Sequence, residues 1–342
     1  MVVLKRGITA LSVLILIFSG IFLLPTAVAS HTSTPNNSAS KCVAKGFSPQ
    51  DLEKNYQCLK TIMLTYKTVK ERLKFSASLK ETNNMIFCHV LDHDNGILAY
   101  TQTKSIAASL ALGGVNCTTG YMHGIFEVAG QRSSLEQYTT QVRTVCNPYL
   151  KSPLVLLGCT HGIGHGMLVS SKFSLSLASN GCKTLKNVMQ INSCRNGIVM
   201  EAVTTGVVKD KILTSYCLSK EISSINLTSA CFSYGLSEYG ALKNLPIACD
   251  KLPKAFISDC YFGIGDAALA LTKQDVPAAL LLCGSNGKYS DLCLHHVAQQ
   301  YGANNGYGKM VKKVCPLALK ACKEVSLLEI TSGADIYEIT HK

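Results

Sequence analysis

Residues 146–166 read CNPYLKSPLVLLGCTHGIGHG. One helix is expected to end at Cys146, a loop to follow, and a second helix to start at Cys159. The same unit, a cysteine with a glycine three residues later, recurs along the chain. Its copies are Cys117-TTG, Cys159-THG, Cys194-RNG, Cys231-FSYG (one residue longer), Cys260-YFG and a degenerate Cys293-LHH. Their starts lie 42, 35, 37, 29 and 33 residues apart, periods that point to stacked helical hairpins. Cys146, Cys182, Cys217, Cys249 and Cys283 precede most copies by 10 to 14 residues.

A disulfide across each hairpin closes a short loop, for a stabilisation of roughly 2–4 kcal/mol apiece. The expected pairs are Cys146–Cys159, Cys182–Cys194, Cys217–Cys231, Cys249–Cys260, Cys283–Cys293 and a shortened terminal Cys315–Cys322. The last needs a break between its members, because seven residues of continuous helix span about 10 Å, too far for a bridge. The first four cysteines can pair as Cys42–Cys58 and Cys88–Cys117. The sixteen cysteines form no CxxC or CxxCH, which excludes the usual zinc-ribbon, thioredoxin and c-type haem spacings.

The amino terminus agrees with an oxidising compartment. Lys5 and Arg6 precede an almost wholly apolar run from Ile8 to Leu24, and Ala27-Val28-Ala29 is a small-residue cleavage pattern. That order describes a secretory signal peptide over 1–29; an uncleaved anchor is the alternative. Residues 30–47 form a polar stalk, 48–330 the disulfide-stapled helical-repeat domain and 331–342 a tail. Asn36, Asn116 and Asn226 start N-x-S/T sequons, usable where the host glycosylates exposed sites. Ser48-Pro49 followed by Asp51 and Glu53 is a good helix start.

The formal charge is +12, or +10 once Lys5 and Arg6 are removed. Only five of the 33 basic residues are arginine, and there is no tryptophan. Nucleic-acid binders favour arginine forks and stacking platforms, so no nucleic-acid partner is expected. The expected partners are an envelope protein, a glycan or a small-molecule ligand, with no membrane insertion beyond the signal segment.

The cysteine units resemble the cysteine-rich, disulfide-stapled helical-repeat proteins of the tetratricopeptide-like superfamily, over residues 146–322. The resemblance implies an all-α, right-handed solenoid of antiparallel helix pairs with a concave binding surface. Loop lengths vary, however, and that family's regular tyrosine, glycine-valine and lysine-alanine positions are not maintained. Nothing in it predicts the histidines.

Five of nine histidines fall between residues 89 and 165. His89/His93 and His161/His165 are spaced i, i+4, and His123 lies four residues before Glu127. On a helix each pair shares one face. Three successive helices about 8–10 Å apart can bring His89, His93, His123, Glu127, His161 and His165 to one or two transition-metal ions: zinc, iron or copper. Six or seven donors exceed the four of structural zinc, which favours a binuclear centre, or one ion with outer partners such as Asp92 and Glu201.

Glu127 or Glu201 is the candidate general base of a hydrolase, or of an oxidoreductase if the metal is redox-active. Aligned on the glycine, the residue three further on reads His123, His165, Met200, Glu238, Asp266 and Gln299, which is no ordinary core column. If GCTHGIGHG is instead a glycine loop, the i, i+4 geometry is lost. His295 and His296, being adjacent, read as structural or surface residues. HExxH, G-x-S-x-G and P-loop motifs are absent, so a zincin, a serine-hydrolase elbow and a nucleotide cradle have no sequence support. A non-enzymatic scaffold whose histidines form a polar network is the competing class, and metal storage or delivery is a third.

Overall fold

The structure, a computed structural model, describes residues 39, 41–42 and 49–318, apart from 82–84, 114–116, 152, 209–215, 225–226, 235–244, 273–274, 285–286 and 306. The segments 1–29 and 331–342, most of the stalk, Glu238 and Cys322 lie outside the described residues. So, therefore, does the Cys315–Cys322 pairing.

Every regular element among the described residues is helical. In chain order these are α1 (Pro49–Leu64), α2 (Val69–Glu81), α3 (Met85–Thr103), α4 (Ile106–Leu112), α5 (Gly120–Gln131), α6 (Leu135–Val142), α7 (Pro153–Ser170), α8 (Leu175–Cys182), α9 (Val188–Thr204), α10 (Lys220–Ser224), α11 (Thr228–Tyr234), α12 (Leu245–Asp250), α13 (Lys254–Leu271), α14 (Val276–Leu281), α15 (Gly287–Asn305) and α16 (Tyr307–Lys313). Short 3-10 turns occupy Cys117–Thr119 and Asn147–Tyr149.

Local sequence starts several of these helices. Pro49 opens α1, where its missing N–H costs nothing. Ser134 and Gln137 form a capping box at α6, and Asn187 caps α9 through the Gln190 amide.

The helices α3, α5, α7 and α9 pack side by side in that order, and the series continues through α11 and α13 to α15. The shorter helices α4, α6, α8, α10, α12 and α14 connect successive members of this row. Neighbours in the row run parallel, because their contacts advance together: Gly120 meets His89 and Gly124 meets His93. The last long helix, α15, also touches α2 and the 117–119 turn, so the row comes back onto its beginning.

Among the described residues Cys42–Cys58 ties the amino-terminal segment to α1, and six further pairs tie connecting segments to the row: Cys88–Cys117, Cys146–Cys159, Cys182–Cys194, Cys217–Cys231, Cys249–Cys260 and Cys283–Cys293. Their Cα atoms stand 5.4 to 5.9 Å apart, the ordinary span of a disulfide. One expectation is corrected. The second cysteine does not start its helix: Cys159, Cys194, Cys260 and Cys293 each lie six residues inside α7, α9, α13 and α15. The staple therefore pins a connecting helix against the flank of a long helix, where apolar area is available to bury.

The stretch GCTHGIGHG is helical, within α7, and every residue from 159 to 168 is buried. A helix apolar on all sides belongs in the middle of a packed body. Its glycines allow that position. A β-carbon at Gly164 would overlap the carbonyl of Cys194, and one at Gly197 the carbonyl of His161. On the other side, β-carbons at Gly120 and Gly124 would strike the carbonyls of His89 and His93.

Glycine in a helix interior costs about 1 kcal/mol relative to alanine, so the alanine variants gain helix propensity and lose the contact. Overpacking of a tight core costs typically about 1–3 kcal/mol, and here the clashing atom is rigid backbone. Gly124→Ala and Gly164→Ala are expected to lower the thermal midpoint despite their better propensity. An unchanged or raised midpoint in a thermal scan would remove the close-approach argument.

Candidate metal centre

The three histidine-bearing helices bring their rings to one place. His89 and His93 project from α3, one turn apart, with ring centroids 4.9 Å from each other. His123 of α5 stands 5.3 Å from each of them. It also stands 5.2 Å from His161 and 4.8 Å from His165 of α7, which are 5.0 Å apart. Three groups have ligand atoms that all lie within 4.8 Å of one another: His89/His93/His123, His123/His161/His165 and Glu127/His165/Glu201. Every metal residue anticipated from the sequence is thus in the cluster, and Glu201 joins it from α9.

Oxygen acceptors hold the far side of several rings. His89 Nδ1 donates to the Cys117 carbonyl at 3.0 Å. Glu127 Oε1 lies 3.2 Å from His93 Nδ1, and Glu201 Oε2 lies 2.8 Å from His165 Nδ1. An imidazole whose Nδ1 proton is engaged by a carbonyl or carboxylate offers its Nε2 lone pair to a cation. His123 Nε2 meets the Thr119 hydroxyl at 3.2 Å. The opposite nitrogen, His123 Nδ1, and His165 Nε2 are both buried without a hydrogen-bond partner. Such orphans are rare in folded proteins, and an ion between the rings would satisfy them. The residues present fit a borderline transition metal.

Electrostatics keep most of these rings neutral. Burial, then the His93 charge, pushes His89 down to about 3. Burial followed by neighbouring histidines holds His123 and His165 well below the usual imidazole range. Burial also acts downward on His93, but the Glu127 carboxylate beside it more than reverses the effect and leaves it raised.

His93 Nε2 and His89 Nε2 face each other at 3.2 Å. Two bare lone pairs at that distance repel, so a proton on His93 or a cation must sit between them. Burial, and secondarily the Glu127 charge, lifts Glu201 well above the carboxylate range. Without metal, the Glu201–His165 pair therefore shares a proton. With His165 Nε2 holding a cation, His165 would keep that proton on Nδ1 and Glu201 would be ionised.

The turn before α5 contributes without any sequence signal. The 117–119 turn supplies both the carbonyl on His89 and the hydroxyl on His123. It does so with Cys117 and Thr119 in left-handed backbone, at φ 53° and 65°. That region is uncommon for any side chain and an outlier for a β-branched one, and such strain gathers at functional sites. In α9 the aligned column falls on Met200, yet its neighbour Glu201 is the residue that reaches the cluster.

Asp92 is a correction. Its carboxylate is wholly buried and bonds Ser76 across the α2–α3 interface and Asn95 within α3, not a histidine ring. Burial raises it to about 7 against the pull of those two partners. The side chains of Asp266 and Gln299 lie outside the described residues.

His295 and His296 are buried in α15, and the His296 ring packs on Phe262 with centroids 3.9 Å apart. Neither belongs to a metal-competent group among the described residues. No protein-family model, curated protein or solved structure matches the chain.

Burial, with the His296 charge second, pushes His295 down from 6.5 to about 4. A base whose folded pKa lies below its unfolded value is protonated first in the unfolded chain. Its contribution to stability is thus lost as pH falls from about 6.5 to about 4. The wild type is expected to lose more stability than His295→Asn over that window, measured by denaturant unfolding at stepped pH. Parallel curves would refute this assignment.

Proposed function

We propose that this chain is an exported helical protein that holds transition-metal ions in its His/Glu cluster and uses them on a small reactant. The observation that carries this reading is the pair of buried, partnerless nitrogens on His123 and His165, inside a group of rings of which His89, His93 and His165 turn Nδ1 toward oxygen acceptors. Imidazole nitrogen suits zinc, copper and iron. Bound zinc would supply a water acidic enough to attack at neutral pH; copper or iron would supply electron transfer.

This chain's own residues divide the remaining work. Glu127, whose side chain is 21 % exposed beside His93, is the carboxylate placed to move a proton to or from solvent. Glu201, at 9 %, is committed to His165 and acts by orienting it. His123 at 4 % and His165 at 3 % residual exposure lie where little water enters. The deep ligands suit an ion, water or a diatomic molecule better than a polymer.

Export is supported by the seven cysteine pairs, which oxidising compartments favour. The basic-apolar-small pattern at the amino terminus points the same way. Among the described residues no helix is long and apolar enough to cross a membrane. The architecture we favour is a stack of helical hairpins closed by α15, akin to the tetratricopeptide-like repeats in its stapling and distinct from an open solenoid in its return contact.

A structural polar network is the second reading, favoured by the existing bonds His93–His89, His93–Glu127 and His165–Glu201. Elemental analysis of the full chain, purified from an oxidising compartment, separates the two. Near-stoichiometric metal is expected, lost when His123 and His165 are both replaced by alanine. A chelator should then lower the wild-type melting temperature, since a ligand at 1,000 times its Kd stabilises by about 4 kcal/mol. Metal-free protein whose melting is indifferent to zinc, copper and iron would leave only the network.

A further inference from the structure

The five rings divide into two triangles with one shared corner. In the first, His89, His93 and His123 have centroids 4.9, 5.3 and 5.3 Å apart. In the second, His123, His161 and His165 are 5.2, 4.8 and 5.0 Å apart. Between the triangles the spacing opens: His93 to His165 is 6.5 Å. Imidazoles on one tetrahedral ion, with metal–nitrogen bonds of about 2.0–2.1 Å, place their centroids roughly 5 Å apart. Each triangle therefore has the dimensions of one tri-imidazole site, whereas 6.5 Å is long for two ligands of a single ion.

Resting on the metal reading above, we propose that the cluster binds two divalent ions, one per triangle, with His123 bridging them through its two ring nitrogens. His123 is the one ring close to all four others, and its Nδ1 has no partner. Its Nε2 meets only the weak Thr119 hydroxyl contact at 3.2 Å. His89, His93 and His165 each have Nδ1 turned to an oxygen acceptor, which leaves each of them a single nitrogen for an ion.

The chemistry balances. Neutral His123 carries one N–H; when the second ion binds, that proton leaves to solvent and the ring becomes an imidazolate joined to both metals. No electron moves. Two divalent ions bring four positive charges into a mostly buried volume, where uncompensated charge is costly. The imidazolate, Glu127 and Glu201 supply three negative charges within the same group. Each ion keeps a coordination position not filled by histidine. The ion held by His89 and His93 is the one nearer solvent, because the His93 side chain is 24 % exposed and that of His165 only 4 %.

The test uses the full oxidised chain, stripped of metal and reloaded separately with zinc(II) and copper(II). Two zinc ions per chain are expected. The dicopper(II) form should give an integrated low-temperature electron paramagnetic resonance signal well under two spins, because an imidazolate couples the two centres. His89→Ala and His161→Ala, each checked for a native circular dichroism spectrum, should each retain one zinc in the untouched triangle.

One zinc per wild-type chain would overturn the two-ion inference and leave the metal site standing. No bound zinc or copper would remove the metal site itself. Two coppers with a full two-spin signal would overturn the bridge. A natively folded single variant that retains both zinc ions, or neither, would overturn the division into triangles.

Discussion

Backbone contact between parallel helices is the constraint on which the rest of this molecule depends. Side chains normally hold packed helices about 8–10 Å apart. Here glycines stand where a β-carbon would collide with the carbonyls of His89, His93, His161 and Cys194, so α3, α5, α7 and α9 come together with almost nothing between them. Two consequences follow from the same atoms. The helices at the centre are immobilised by rigid main chain and not by adaptable side chains. The histidines also sit one residue or less from the points of closest approach, so their rings meet.

The disulfides act at a different level. They do not line the cluster, but they fix the connecting helices against the flanks of the long ones, which limits sliding along the row. Sliding is the dangerous motion here, since a shift of one residue turns a side chain by about a quarter of a helical turn. A connecting helix lies between each two successive members of the row, from α4 to α14. A polar cluster in a hydrophobic body requires that kind of fixed register, because a half-satisfied network is costlier than none.

Much of this was legible in the sequence, and the reasons are specific. Cysteine spacing survives in the chain as a visible period, so the hairpin pairs could be read from it. Histidines four apart declare a common face without any knowledge of neighbours, and the recurring glycine marks a place where helices touch. What stayed hidden depended on three-dimensional neighbours. The column aligned by glycine falls on Met200, and Glu201, anticipated as an outer partner or base, owes its place against His165 to the rotation of α9 against α7. The Cys117 carbonyl leaves no trace in a residue pattern because it is main chain. Asp92, sandwiched between two histidine-bearing positions, looked like a partner for them but lies on the opposite side of α3, where Ser76 and Asn95 take it. The depth of each second cysteine within its helix was also out of reach, since a helix start three to six residues earlier has no motif of its own.

The 117–119 turn joins two chemistries that are usually separate. Cys117 is covalently tied to Cys88, its carbonyl receives the His89 proton, and two residues on Thr119 touches His123. Residues 88 and 89 are consecutive in α3, so thiol oxidation and the orientation of His89 meet at the one turn over 117–119. A reduced chain lacks the tether that keeps this turn in place, and His89 loses the carbonyl that fixes its tautomer. Assembly is thereby ordered: closing the Cys88–Cys117 bridge sets the turn, and the turn sets the tautomer of His89.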